Sequence, residues 1–140
     1  MEPIRAKPAY SVPEGLLSWE TLKSITPKSA LDAAEFVASK RTKPLYNYIW
    51  SYRQDTLANI DKVNHRGISL MASYYKRPPE SLIIEGKGVE DNIANIRSSG
   101  RYYPPILGVN YEVLDGWHRL AALYVVYGAE FVTYVWKAVA

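Results

Sequence analysis

The chain has 140 residues, of which 48% are hydrophobic and 22% charged, with 17 Lys and Arg against 14 Asp and Glu. That is the composition of one globular domain, large enough to bury roughly 68–70% of its unfolded surface without covalent staples. The lack of cysteine excludes disulfides, thiolate zinc sites and cysteine nucleophiles, and a net charge of +3 permits a polyanionic partner without demanding one.

In chain order, the N-terminus shows no apolar signal-peptide core, and no apolar run reaches the roughly 18 residues that span a bilayer. A cytoplasmic protein without a membrane partner is expected. Residues 1–17 carry Pro3, Pro8, Pro13 and Gly15, predicting an extended N-terminal arm. Residues 18–80 read as a helical extension. Ser18 can cap a short helix through Ile25, and Thr26-Pro27 sets the start of a second helix reaching about Lys40. Leu45, Tyr48, Ile49 and Tyr52 fall at helical spacing, as do Leu57, Ile60 and Val63; Gly67 ends or kinks that piece, and Ile68 to Tyr75 form a third. The basic blocks Ser39–Lys43 and Tyr75–Arg77 read as solvated loop ends.

Residues 81–140 change character. Ser81–Ile84 predicts a short strand, Gly86-Lys87-Gly88 a turn, and Val89, Ile93 and Ile96 the apolar stripe of a helix that stops at Gly100. Pro105–Val109 and Tyr111–Leu114 read as a hairpin about Asn110, followed by a helix over 116–127 stopped by Gly128. Phe131–Trp136 is apolar nearly throughout, as a central or covered strand would be. The expected fold class is α+β: a small mixed sheet with a helical N-terminal half, folded as one compact domain.

The densest chemistry lies at Asp115-Gly116-Trp117-His118-Arg119. A strand running into Asp-Gly and then a helix start gathers a carboxylate, backbone N–H groups, an imidazole and a guanidinium where the helix dipole is positive, which suits phosphate. Asp115 can cap the helix, hold a divalent metal or accept a proton from a substrate hydroxyl. Gly116 allows close backbone approach or a tight turn. Arg119 offers a planar fork to phosphate oxygens, or a surface salt bridge. His118 lies about 100° away on the helix, facing the ligand or serving as a satisfied terminal histidine.

The run Glu90–Gly100, then Pro104-Pro105-Ile106-Leu107, then Val113–Ala122 resembles the ParB/sulfiredoxin-like superfamily across about residues 81–137. The resemblance implies a nucleotide-binding core in which Gly116, Trp117, His118 and Arg119 lie at the phosphate-binding turn. It also implies ATP or CTP with Mg2+ as the ligands. Asp115 matches the acidic residue of the kinase-like branch; Glu85, with Asp115 and His118, is a candidate catalytic group, and Lys87 a candidate phosphate neighbour. The departures are informative. Trp117 stands where sulfiredoxins carry cysteine, which excludes their reaction. Trp117-His118-Arg119 replaces the Glu-Arg-Arg of partition proteins. The sequence given stops at Ala140 without a helix-turn-helix or dimerising tail, so DNA clamping is not expected.

The expected function is therefore an NTP-dependent phosphotransferase (kinase) or NTPase acting on an unknown small-molecule or macromolecular acceptor. The alternatives are a DNA-associated module, nuclease-like or regulatory, and a non-catalytic interaction protein of viral or mobile-element origin. Twelve Tyr and four Trp suit half-buried walls, or stacking on single-stranded bases. His65 has no ligand spacing to His118.

Overall fold

The computed structural model describes residues 6–39, 44–74 and 83–139. In chain order these form β1 (Lys7–Pro8), β2 (Gly15–Leu17), α1 (Trp19–Ile25), α2 (Lys28–Ala38), a 3-10 turn (Leu45–Asn47), β3 (Ile49–Thr56), α3 (Leu57–Val63), α4 (Gly67–Tyr74), α5 (Ile83–Ser99), β4 (Arg101–Tyr102), β5 (Ile106–Leu107), β6 (Val113–Asp115), α6 (Trp117–Tyr127) and β7 (Val132–Val139). The basic blocks at 40–43 and 75–77 lie outside the described residues, as do Ser81 and Leu82.

The fold is α+β, built on a mixed five-stranded sheet ordered β2-β3-β7-β5-β6, with β1 and β4 forming a separate parallel pair. β7 occupies the centre. It pairs antiparallel with β3 over eight residues and parallel with β5. Alternation along β7 sends Trp136 and Ala138 to one face and Val135 to the other, and all three are buried. Trp50, Tyr52, Trp136, Ile106 and Leu114 meet Leu22 of α1 and Leu31, Ala34 and Ala38 of α2. Val135, Leu107 and Val113 meet α3 to α6 through Leu57, Ile60, Ile68, Val89, Ile93 and Leu120–Leu123. Helices thus cover the sheet on both sides.

The N-terminal arm is tied down at several points. Ala6 N donates to the Tyr127 hydroxyl at 2.8 Å, Lys7 and Pro8 pair with Arg101 and Tyr102, and Trp136 Nε1 donates to the Tyr10 hydroxyl at 2.7 Å. Burial pushes the Tyr10 hydroxyl above its ordinary pKa, so it stays protonated.

Several expectations match. Ser18 caps α1, accepting from Thr21 N; Gly100 (φ +66°) follows α5; the β5–β6 hairpin turns over 108–111; and Gly128 follows α6. Others need correction. The region from 45 to 56 is not one helix: Leu45–Asn47 make a 3-10 turn and β3 follows over Ile49–Thr56, pairing with the central strand, so residues 18–80 are not helical throughout. Leu45, Tyr48, Ile49 and Tyr52 fit a 3.6 period, but Tyr48, Trp50 and Tyr52 fit a period of two, and the buried pair Trp50 and Tyr52 follows the second. The strand expected at 81–84 is also absent where described, because Ile83 and Ile84 open α5, and Gly86-Lys87-Gly88 lies inside that helix rather than in a turn. Pro27 rather than Thr26 caps α2.

Trp136 is fully buried, with its ring centroid 4.6 Å from that of Tyr52. Trp136→Ala is expected to cost about 3–5 kcal/mol, read from the midpoint and slope of urea unfolding. Trp136→Phe keeps most of the packing but orphans Tyr10, so protease cleavage within residues 6–12 should accelerate more than global stability falls.

Candidate functional site

β6 delivers Asp115 to the edge of the sheet, and the chain reverses at Gly116 into α6 (φ +111°). A Cβ on Gly116 would fall 2.7 Å from Pro105 Cβ and 3.2 Å from an Arg119 Nη. Glycine is therefore required both by the positive φ and by the closeness of Pro105. Pro105 is itself fixed, since its carbonyl accepts from Trp136 N at 2.9 Å. The turn is thereby locked onto the central strand.

Asp115 does not cap α6, whose N-terminus has no side-chain cap. Its Oδ2 instead accepts from Arg119 Nη2, an i,i+4 ion pair, while Arg119 Nη1 donates to the Tyr103 carbonyl at 3.0 Å. The two side chains are only 15% and 17% exposed, so water screens them little. The first intrahelical bond of α6 runs from Leu120 N to Gly116 O, and the amides of residues 117–119 precede it. Burial raises the pKa of Asp115 above its ordinary value, outweighing the opposing pull of Arg119 and, more weakly, His118.

The three residues after Gly116 go to three different neighbours. Trp117 lays its ring on Gly67, where a Cβ would fall 2.8 Å from the indole; His118 lies on Gly88, where a Cβ would fall 2.8 Å from Cδ2 and 3.0 Å from Nε2. Gly67 and Gly88 read as breakers in the sequence, yet both sit in helices that aromatic side chains approach closely. Their signal was legible only in part: Gly88 directly precedes the apolar stripe at Val89, Ile93 and Ile96.

Arg119 lines a cavity of about 280 Å³ together with Asn92, Asn95, Ser99, Arg101 and Tyr103. Asn92, Asn95 and Ser99 carry no signal of this in the sequence, because α5 and β4 come together here only through the fold. Asn92 Nδ2 donates to Gly88 O at 2.8 Å, so the amide that borders the cavity also braces the helix under His118. Arg101 Nη1 donates to Pro8 O at 3.3 Å and also lines a second cavity, of about 640 Å³, beneath residues 7–12. Trp117 and His118 are not among the residues lining either cavity. Glu85 falls in the first turn of α5 rather than at a strand end; its side chain and that of Lys87 lie outside what is described. Among the described residues, no three His, Cys, Asp or Glu side chains gather as a metal site. Nor is any helix long and apolar enough to cross a membrane.

No protein-family model matches the chain, and no curated protein or solved structure is significantly similar to it.

Two outcomes test this geometry. Gly116→Ala should cost about 1–3 kcal/mol in denaturant unfolding, since the new methyl meets both a left-handed backbone and Pro105. The carboxyl of Asp115 should titrate above the ordinary aspartate value in carbon-detected NMR, and Arg119→Gln should move the midpoint higher still. The folded carboxyl holds its proton more tightly than the unfolded one, so this group's contribution is greatest at low pH and declines as pH rises through the raised value. Asp115→Asn should flatten that part of the stability profile; a depressed midpoint would contradict the assignment.

Proposed function

We propose that the protein binds a nucleoside triphosphate, ATP or CTP, through its phosphates, and transfers the terminal phosphoryl group to a hydroxyl or to water. The observation that supports this most is Arg119, braced by Asp115 and the Tyr103 carbonyl while it borders a cavity shared with Arg101, Asn92, Asn95 and Ser99. Two guanidinium groups, two amides and a hydroxyl supply donors of the kind phosphate oxygens select. A cavity of about 280 Å³ suits the phosphates rather than a whole nucleotide. Tyr103, 42% exposed at its edge, offers a face on which the base can stack. The resemblance to the ParB/sulfiredoxin-like superfamily supports the same use of Gly116 and Arg119, whereas His118, which it places there too, lies on Gly88.

In this reading phosphate competes with Asp115 for the guanidinium. A phosphate that draws Arg119 away leaves the carboxylate free to accept the proton of the attacking hydroxyl, and its raised pKa makes it a better base. Positioning and charge neutralisation by Arg119 supply most of the catalysis. Trp117 and His118 hold the turn against α4 and α5, and Glu85 is the second candidate base. For Mg2+ the fit is a single carboxylate, that of Asp115, with phosphate and water completing the shell, which is common for this ion. Bound there, Mg2+ would neutralise charge developing on the phosphates.

Calorimetry with ATP and CTP, each with and without Mg2+, tests the proposal. At least one should bind, and Arg119→Ala should weaken binding by more than about tenfold. Absence of binding by any nucleoside triphosphate at millimolar concentration ends the proposal.

A further inference from the structure

A second charged cluster lies elsewhere, on the α3–α6 side of the sheet. Lys137 Nζ lies 4.9 Å from the centre of the Tyr111 ring, and the Arg53 guanidinium carbon 5.9 Å from the same centre. Tyr111 is held in this place against its backbone preference: its φ is +65°, sparsely populated for a residue with a Cβ. Asn64 fixes it there, donating from Nδ2 to Tyr111 O at 2.9 Å while its Oδ1 accepts from Val113 N at 3.1 Å.

Neither cation has a carboxylate within ion-pair distance among the described residues. Glu112 is the nearest opposing charge felt by Lys137, but one of its oxygens accepts from Asn110 N at 3.0 Å. Burial and the neighbouring Arg53 push the Lys137 amine below its ordinary pKa. Exposed Arg53 and half-buried Lys137 thus stand side by side over one ring, with Glu112 acting on Lys137 only from beyond ion-pair distance, a setting that attracts an anion from outside.

The sheet register shows what lies beside them. Ser51 pairs with Lys137, Ile49 with Val139, and Leu16 of the edge strand β2 with Ser51. Cross-strand partners share a face, so Leu16, Ile49 and Val139 lie on the cationic face, with Leu16 66% and Ile49 54% exposed. From Arg53 to Ile49 the strand advances about 13 Å. Leu16 and Ile49 continue as the lip of a groove of about 780 Å³ that also includes Trp19 and Tyr46. A strip of this length is too small for a stable protein partner, which needs roughly 800 Å² per side.

We propose that this face binds a small amphiphile with an oxyanion head, the head held by Arg53 and Lys137 beside Tyr111 and the apolar stem lying over Ile49 and Leu16. Carboxylate and phosphate heads share the required chemistry, so octanoate and octyl phosphate are the probes, with octanol as the neutral control. In two-dimensional NMR titrations at millimolar concentration, one or both acids should give saturable shifts at residues 49–53, 111 and 135–139. Octanol should bind at least about tenfold more weakly. The tighter of the two acids identifies the head as an acyl carboxylate or a phosphate ester.

Arg53→Gln, at an exposed position, and Lys137→Gln should each weaken binding about tenfold or more, Lys137→Arg should retain it, and Ile49→Ser should weaken it. Arg119→Ala should leave it unchanged, which separates this site from the nucleotide site proposed above. No saturable shifts with either acid, equal binding of octanol, or affinity indifferent to Arg53 and Lys137 would overturn the proposal.

Discussion

β7 is the constraint on which the fold depends. Apolar side chains lie on both of its faces and neighbours pair with both of its edges, so its core is buried only if one helical layer covers Trp136 and Ala138 and another covers Val135. α1 and α2 supply the first layer, and α3 to α6 the second. The same strand determines where the candidate site forms. Its amide at 136 holds the carbonyl of Pro105, and Pro105 leaves the chain at 116 room for a hydrogen in place of a side chain. The chemistry of the turn is thus set by the centre of the sheet and not by the loop alone.

At that turn one glycine distributes three successive side chains to three neighbours. The indole goes to α4, the imidazole to α5, and the guanidinium back to Asp115 and forward to a carbonyl. This arrangement fixes the backbone firmly while leaving one polar pair with a choice of partner. The carboxylate is already disfavoured as an ion by burial, and the guanidinium keeps donors in reserve. An anion that competes for the guanidinium therefore meets a site whose frame does not have to move.

Much of the C-terminal half was legible in the sequence, because its signals are local. Gly100 and Gly128 mark helix ends by their chemistry, as Ser18 does in the N-terminal half, and the apolar run at 131–136 marks a covered strand. β3 was misread because Leu45, Tyr48, Ile49 and Tyr52 satisfy a helical period, and what settles the matter is pairing with residues 76 to 90 positions away. Gly86 and Gly88 suggested a turn, since nothing in the sequence announces that an imidazole will lie against one of them. The Asp-Gly-Trp-His-Arg turn was found by its letters, but Asp115 was read as a possible cap when its partner is Arg119. The polar wall formed by Asn92, Asn95 and Ser99 was missed, because helical spacing alone does not say which side of α5 will face β4.

The tethering of the arm has a consequence for biogenesis. Ala6 is held by a tyrosine 121 positions downstream, and Tyr10 by a tryptophan 126 positions downstream. During translation residues 6–10 must therefore wait, undocked, until residues 127 and 136 have left the ribosome. Residues 7–12 wall the cavity of about 640 Å³ and Ala9 that of about 280 Å³, so neither is complete before those residues dock. Both hollows are therefore products of long-range docking, completed only once the arm has closed.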